Sequence, residues 1–174
     1  MKIKTLLVGL VLITMLGISS CKKKNDYTHL YTGDYKVAVT QNLTVIAPIY
    51  GEIPLQEEYI YGTAQIVKDE NEGDSNVKIL MSFSEGGIYY LDAYCDQTNM
   101  QIKNKKVNIT HSISNYNNVR FEYTLEGGTA APQNISWTSS VSGKCTTHVG
   151  ETSQKTYNVD GTLKFAFSPL HENQ

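Results

Sequence analysis

The chain has 174 residues, with 15 basic against 17 acidic side chains and a formal net charge of −2 at pH 7. That length suits one domain large enough to bury its own core. Without its first 20 residues, which hold two of the 15 basic residues and none of the acidic ones, the formal charge falls to 13 − 17 = −4. Because nucleic-acid binding needs a basic face, this balance argues against that class of partner.

The first 20 residues have the layout of an export signal. Lys2 and Lys4 precede a short apolar segment that runs from Leu6 to Ile18. A transmembrane helix needs about 20 apolar residues, whereas the apolar region of a secretory signal is shorter. We therefore predict that residues 1–20 are a signal peptide. An ordinary cleaved signal or an anchor helix is the alternative to the lipoprotein signal described next.

Cys21 follows this segment directly, in the sequence Ile18-Ser19-Ser20-Cys21. These four residues resemble the bacterial lipobox, in which cleavage before the cysteine leaves it lipidated as the first residue of the mature chain. Each buried methylene contributes about 0.8 kcal/mol, so two or three acyl chains anchor far more firmly than one. The resemblance implies a lipoprotein held by Cys21 in the cell envelope. We expect the outer membrane, with the periplasmic or the surface face left open.

Two cysteines remain after Cys21 is assigned to the anchor. Cys95 and Cys145 form an even pair in a compartment that permits disulfides. A bridge between them and two separate buried thiols are equal alternatives at this point.

The rest of the chain alternates apolar and polar residues, which is typical of strands. Segments rich in Gly, Asn, Asp and Ser separate the alternating runs and favour turns. The eight predicted strands cover residues 35–45, 59–67, 76–84, 88–95, 106–114, 119–126, 135–145 and 157–167. We predict an all-β fold, an eight-stranded antiparallel up-and-down meander that closes into a lipocalin-like barrel, with a two-sheet β-sandwich as the alternative. The domain is expected over residues 31–170, after a flexible tether over residues 21–30.

Two short motifs carry a family resemblance. The opening "YTGDYKVAV" contains Gly33-Asp34-Tyr35, and the closing segment reads "YNVDGTLKFAF". Both are similar to the lipocalin-like, or calycin-like, lipoproteins of Bacteroidota, which place Gly-x-Tyr or Gly-x-Trp beside the first strand. Tyr35 stands where true lipocalins carry Trp. The likeness spans about residues 31–168 and implies an eight-stranded barrel with its mouth near the first long connection.

That connection, residues 46–58, carries Pro48 and Pro54 and is predicted to be irregular. Long loops in compact domains are often lids over a site, and a packed cover over the core is the alternative.

The sequence lacks the motifs of catalysis and metal binding. It has no His-Glu-x-x-His, no Gly-rich phosphate loop and no Cys-x-x-Cys pair, and its four histidines are isolated. His111 is the one histidine on an apolar strand face, where a hydrogen-bonded core residue is the usual role. The acidic segment 69–74 has Asp74 where a calcium loop requires Gly. We therefore expect no enzyme activity, no cofactor and no metal.

The chain has 12 tyrosines and a single tryptophan, and these define two candidate sites. The candidate residues for a ligand inside the barrel are Tyr35, Tyr50, Tyr89, Tyr123 and Trp137. The outward tyrosines of the second and fourth predicted strands are Tyr59, Tyr61, Tyr90 and Tyr94. Aromatic rings on a rigid sheet can stack on sugars or anchor a protein, although tyrosine is also common on half-buried strand surfaces.

Two functions remain open on these residues. The first is a non-catalytic binding module that holds a small apolar or amphipathic ligand inside a lipid-anchored barrel. The alternative is a structural or interaction lipoprotein with a filled core, which binds a glycan or an envelope protein through the exposed tyrosines.

Overall fold

The computed structural model describes residues 25–55, 58–84, 87–113 and 117–170. Its strands form a single antiparallel sheet that curls into a half-barrel, with one turn of 3-10 helix (Thr28–Leu30) before the first strand. The strands are β1 (Gly33–Ala47), β2 (Gly51–Pro54), β3 (Glu58–Lys68), β4 (Asn76–Phe83), β5 (Ile88–Cys95), β6 (Met100–Ile102), β7 (Lys105–Ile113), β8 (Asn117–Leu125), β9 (Thr129–Ala130), β10 (Ser136–Thr147) and β11 (Lys155–Pro169). The prediction of an all-β, antiparallel, barrel-type fold is confirmed.

The order of the strands is β7-β8-β10-β11-β1-β3-β4-β5-β6-β9, with β2 paired to β1 outside this path. The eight predicted strands correspond to β1, β3, β4, β5, β7, β8, β10 and β11, and seven of the eight pairings that a closed ring of them needs are present. Within the described residues, β5 and β7 are the ring neighbours that do not pair. The strands therefore follow the predicted up-and-down order, but the sheet stays open between β5 and β7.

Three short strands were not predicted, and one of them corrects the prediction for residues 46–58. β1 continues to Ala47 and turns back into β2, so a hairpin occupies most of the stretch that was expected to be irregular. Gly51 adopts a positive φ of 73° at this turn, a conformation that glycine takes without a Cβ penalty. β6 and β9 pair with each other and extend the sheet beyond β5.

Alternation decides which residues face the interior. In β1, Tyr35, Val37, Val39, Leu43 and Val45 are buried while the residues between them are exposed or half-buried. Most of the largest fully buried side chains come from the long strands, apart from Tyr31, which precedes β1, and Met100 of the short β6: Tyr31, Phe165, Leu43, Ile66, Ile79, Met81, Leu91, Met100, Leu125, Leu163, Val37 and Val77. Burial of this apolar surface is the main favourable contribution to folding.

The curl of the sheet depends on close approach between strands. Gly161 of β11 lies opposite Leu43 of β1 and Val141 of β10. It has φ 153°, and a Cβ built there would collide with the carbonyl oxygen of Asn42. Glycine inside a strand is typical of a bend where another backbone approaches closely.

Candidate functional site

The interior site predicted from the sequence is occupied by rings that contact one another. Trp137 stacks on Phe165 and on Phe167, with ring centroids 4.7 and 5.2 Å away. Tyr35 meets Phe167 edge-on at 5.8 Å and donates its hydroxyl to the Tyr31 carbonyl at 2.7 Å. Ring pairs at these separations contribute to stability beyond their buried area. Trp137 and Tyr35 therefore act as core residues in this structure.

Tyr89 and Tyr123 form the polar feature of the interior. Their hydroxyl oxygens lie 3.1 Å apart, and Tyr89 also meets Phe83 edge-on at 5.4 Å. Tyr123 is buried and Tyr89 half-buried. Burial raises the pKa of both hydroxyls, because the charged phenolate is poorly solvated there.

Tyr50 lies apart from the other four candidates. It is 79% exposed and sits beside Ile49 in the turn between β1 and β2. The structure thus brings Tyr35, Tyr89, Tyr123 and Trp137 into one interior and leaves Tyr50 at the end of the sheet, in solvent.

The outward placement of the other tyrosines is confirmed. Tyr59 and Tyr61 project from β3, and Tyr90 and Tyr94 from β5, with exposed fractions between 36% and 62%. Their strands flank β4, so all four rings lie on the convex side of β3, β4 and β5.

This convex side contains a shallow groove, which we call the outer groove. Two rows of residues across β3, β4 and β5 form its floor. One row consists of Thr63, Ser82 and Ile88, and the other of Gln65, Leu80 and Tyr90. Its volume is about 470 Å³, and its lining residues are Asp34, Thr63, Ala64, Gln65, Leu80, Met81, Ser82, Ile88, Tyr90 and Leu170. Ile88 and Tyr90 are more than half exposed, so the apolar part of the groove is open to a ligand.

A carboxylate and an amide lie together at one edge of the outer groove. Gln65 donates its amide Nε2 to Oδ1 of Asp34 at 3.0 Å. The second carboxylate oxygen of Asp34 and the amide oxygen of Gln65 are further acceptors in principle, because each group has more lone pairs than this one bond uses. Leu170 closes this edge, where its backbone N–H donates to the Asp34 carbonyl at 3.0 Å.

The sequence did not single out Asp34 or Gln65 as site residues. Their outward position followed from alternation along β1 and β3, but their meeting depends on the register Asp34↔Gln65. A one-residue change of register would move every side chain of a strand to the other face. Alternation gives the face of each residue, while the neighbour across the strand comes from the folded sheet.

Cys95 and Cys145 are both buried free thiols, so the candidate bridge is not formed in this structure. Burial raises the pKa of the Cys95 thiol to about 12, with a further contribution from Asp96 and Asp26, and burial also raises the pKa of the Cys145 thiol. Such thiols are largely protonated at neutral pH and react slowly.

The acidic segment 69–74 makes ion pairs. Asp69 is buried, lies 3.0 Å from Lys78 Nζ and accepts a bond from the Asn71 backbone N–H. The Lys78 bond is the main reason why the pKa of Asp69 is lowered. Within the described ranges, no group of three or more His, Cys, Asp or Glu side chains is arranged to hold a metal ion.

Several predictions concern residues that the structure does not describe. The signal peptide, Cys21 and the three lysines after it lie before residue 25, and the side chain of His111 is also outside the described part. Among the described residues, no helix combines the length and the apolar character that crossing a membrane requires.

Comparison of the chain with protein-family models and with curated proteins finds no match. The resemblance to lipocalin-like lipoproteins therefore stays a prediction based on the two motifs quoted above.

Proposed function

We propose that this protein is a lipid-anchored, non-catalytic binding module of the bacterial cell envelope, and that it binds a neutral glycan in the outer groove. The lipobox at Cys21 supports the anchor. The observation that carries the binding site is the juxtaposition of the exposed Tyr90 and Ile88 with the Asp34–Gln65 pair on one rigid sheet.

A sugar presents two kinds of surface, and the outer groove has a counterpart for each. The C–H faces of a sugar ring pack on apolar and aromatic side chains, which Tyr90, Ile88 and Leu80 supply. Its hydroxyls need donors and acceptors, which Asp34, Gln65 and the hydroxyls of Thr63 and Ser82 supply.

The charge of the groove favours a neutral ligand. Asp34 is the one charged residue among the described side chains that line it. An anionic ligand would meet the Asp34 carboxylate, and the neighbouring cation on this face, Lys36 opposite Thr63, is not part of the groove lining.

The tyrosines of β3 extend the surface beyond the groove. Tyr59 and Tyr61 are two residues apart on the same face, which places them about 7 Å apart along the strand. β3 and β5 are separated by β4, so Tyr90 lies about two strand spacings, or roughly 10 Å, to the side. A surface of this extent suits a chain of several sugars better than a single one.

A small apolar or amphipathic ligand inside the barrel is the second candidate. The observation that favours it is the hydroxyl pair of Tyr89 on β5 and Tyr123 on β8, a polar point within an apolar interior, near the place where the described parts of β5 and β7 do not pair with each other. Against it, Trp137, Phe165 and Phe167 already stack on one another. A ligand at those rings would have to displace contacts that stabilise the fold.

Retention on immobilised oligosaccharides tests the proposal. The mature protein, in detergent, is passed over neutral and anionic oligosaccharides at low and high salt. We expect retention on a neutral oligosaccharide that high salt does not weaken, since no ion pair is involved. Retention on anionic sugars alone would contradict binding of a neutral glycan in the outer groove. The absence of any retention, while an apolar dye binds stoichiometrically and quenches Trp137, would also contradict it and favour other ligands.

A further inference from the structure

The segment before β1 is fixed to one end of the sheet. Asp26 Oδ2 lies 2.6 Å from Lys68 Nζ, where β3 ends. Asp26 Oδ1 accepts bonds from the backbone N–H and the hydroxyl of Thr28 at 3.0 and 2.6 Å. These bonds hold the start of the described chain against the strands rather than away from them.

Burial strengthens this attachment. Tyr31 is fully buried, and its hydroxyl donates to the Asp96 carbonyl at 3.3 Å, just after β5 ends. Ser75, immediately before β4, donates its hydroxyl to the Asn25 carbonyl at 3.5 Å. Residues 25–32 therefore contact the end of the sheet where β3 and β5 finish and β4 begins, which we call the tether end.

The chain between this end and the predicted anchor is short. Three residues, Lys22 to Lys24, separate Cys21 from Asn25. Because a fully extended chain spans at most about 3.6 Å per residue, the Cα atoms of Cys21 and Asn25 can be no more than about 14 Å apart. A lipid on Cys21 would thus keep the tether end close to the membrane.

The opposite end of the sheet lies far from the tether end. β1 has 15 residues, and a strand of that length, tilted as in barrels, spans about 35 Å. The turn at residues 48–50 and the segment 148–154 lie at that far end, because they follow β1 and β10 respectively.

The charges of the tether end are compatible with a nearby lipid surface. Two of its carboxylates have lysine partners: Asp74 lies 3.5 Å from Lys68, and Glu72 lies 2.9 Å from Lys103. In the sequence, three lysines at 22–24 separate Asn25 from the predicted anchor, and lysines next to a lipid anchor can approach anionic headgroups.

We infer that the tether end faces the membrane and that its short, clamped connection holds the sheet upright, with the far end directed away from the lipid. This inference rests on the proposed anchor at Cys21. It places the outer groove on the side of an upright molecule, with its Asp34–Leu170 edge nearest the tether end and Tyr90 and Ile88 farther from it.

Energy transfer to labelled lipids tests the orientation. The mature lipidated protein is placed in vesicles that contain an acceptor lipid, with a donor dye attached through Gln97→Cys at the tether end or Thr152→Cys at the far end. Both positions are exposed, and the two remaining native thiols are buried. We expect the loss of donor emission to be clearly larger at 97 than at 152.

A linker variant separates the tether from other causes of orientation. Insertion of a long Gly/Ser segment between Lys24 and Asn25 leaves the Asp26–Lys68 ion pair intact but removes the length restraint. The difference in energy transfer between the labels at 97 and 152 should therefore shrink. Equal transfer at native length, or an unchanged difference with the linker, would overturn the inference while the anchor stands. A mature chain that does not float with vesicles would overturn the anchor itself and this inference with it.

Discussion

At the scale of single residues, the interior depends on polar atoms that satisfy one another. The hydroxyl of Tyr123 is buried, and Tyr89 provides its bond at 3.1 Å. Removing one partner of a buried hydrogen bond leaves the other unsatisfied, which costs more than removing both.

Tyr89→Phe should therefore lower the free energy of unfolding by about 1–3 kcal/mol, because it leaves the Tyr123 hydroxyl without its bond. The double variant with Tyr123→Phe should recover part of that loss. Chemical denaturation of the two single variants and the double variant measures the coupling. Additive losses would show that the two hydroxyls do not depend on each other.

The two buried thiols give a second prediction at this scale. The mature protein, with the lipid that we propose on Cys21, should react slowly with a thiol reagent at pH 8, because burial raises the pKa of Cys95 to about 12 and also raises that of Cys145. After unfolding without reductant, two thiols should react, since the predicted lipid occupies the sulfur of Cys21. No reactive thiol after unfolding would show that Cys95 and Cys145 are bridged in the cell.

At the scale of elements, curvature depends on glycines that let strands approach. Gly161→Ala should destabilise the protein by about 1–3 kcal/mol, because the new Cβ would meet the Asn42 carbonyl oxygen at a positive φ. Thr162→Ala, at the next and exposed position of β11, is the matched control and should have little effect. Thermal unfolding compares the two. Similar melting temperatures would show that the strands can move apart without loss.

The attachment of residues 25–32 to the end of the sheet should depend on pH. The bond from Lys68 is the main reason why the pKa of Asp26 lies well below its usual range, and bonds from Thr28 add to it. A carboxyl group with a lowered pKa stabilises the fold above its unfolded pKa of about 3.9 and loses that effect as the pH falls further.

Asp26→Asn should therefore increase hydrogen exchange in residues 25–32 at pH 6, with the difference from the native protein shrinking as the pH falls below about 4. Glu70 is an exposed acidic residue at the same end of the sheet, and Glu70→Gln serves as the control. Exchange that is equal in the native protein and in Asp26→Asn at pH 6 would show that the ion pair does not hold the segment.

Much of this fold follows from alternation. The period of two in β1 or β8 predicts both the strand and its buried face, and the Gly- and Asn-rich breaks predict where strands end. The hairpin of β1 and β2 was missed because its two prolines argued against a strand. Among the described strands, however, β2 pairs with β1 alone, and proline is tolerated in such an edge strand. The gap between β5 and β7 was also missed, since closure depends on contacts between residues distant in sequence.

The candidate site, too, could be predicted from the sequence only in part. Alternation placed Tyr90 outward and Trp137 inward, and both positions are confirmed. It could not show that Asp34 would bond to Gln65, nor that Trp137 would stack on Phe165, because both depend on strand register.

At the scale of the whole molecule, three features support the proposed function. The interior is occupied by its own aromatic rings, the convex side carries open rings beside polar groups, and the tether restrains one end. On these features we base the proposal of an anchored module that presents a side surface to ligands. Loss of the lipid through Cys21→Ser should release the protein from vesicles without changing the outer groove.

The most direct test of the central claim is the dissociation constant for a neutral oligosaccharide, measured for the native protein, Tyr90→Ala and Tyr50→Ala. Tyr90 lines the outer groove, whereas Tyr50 is a more exposed tyrosine on the turn between β1 and β2. We predict that Tyr90→Ala weakens binding about tenfold, equivalent to about 1.4 kcal/mol, while Tyr50→Ala leaves it unchanged. Equal losses in the two variants, or a loss with Tyr50→Ala alone, would contradict a binding site in the outer groove.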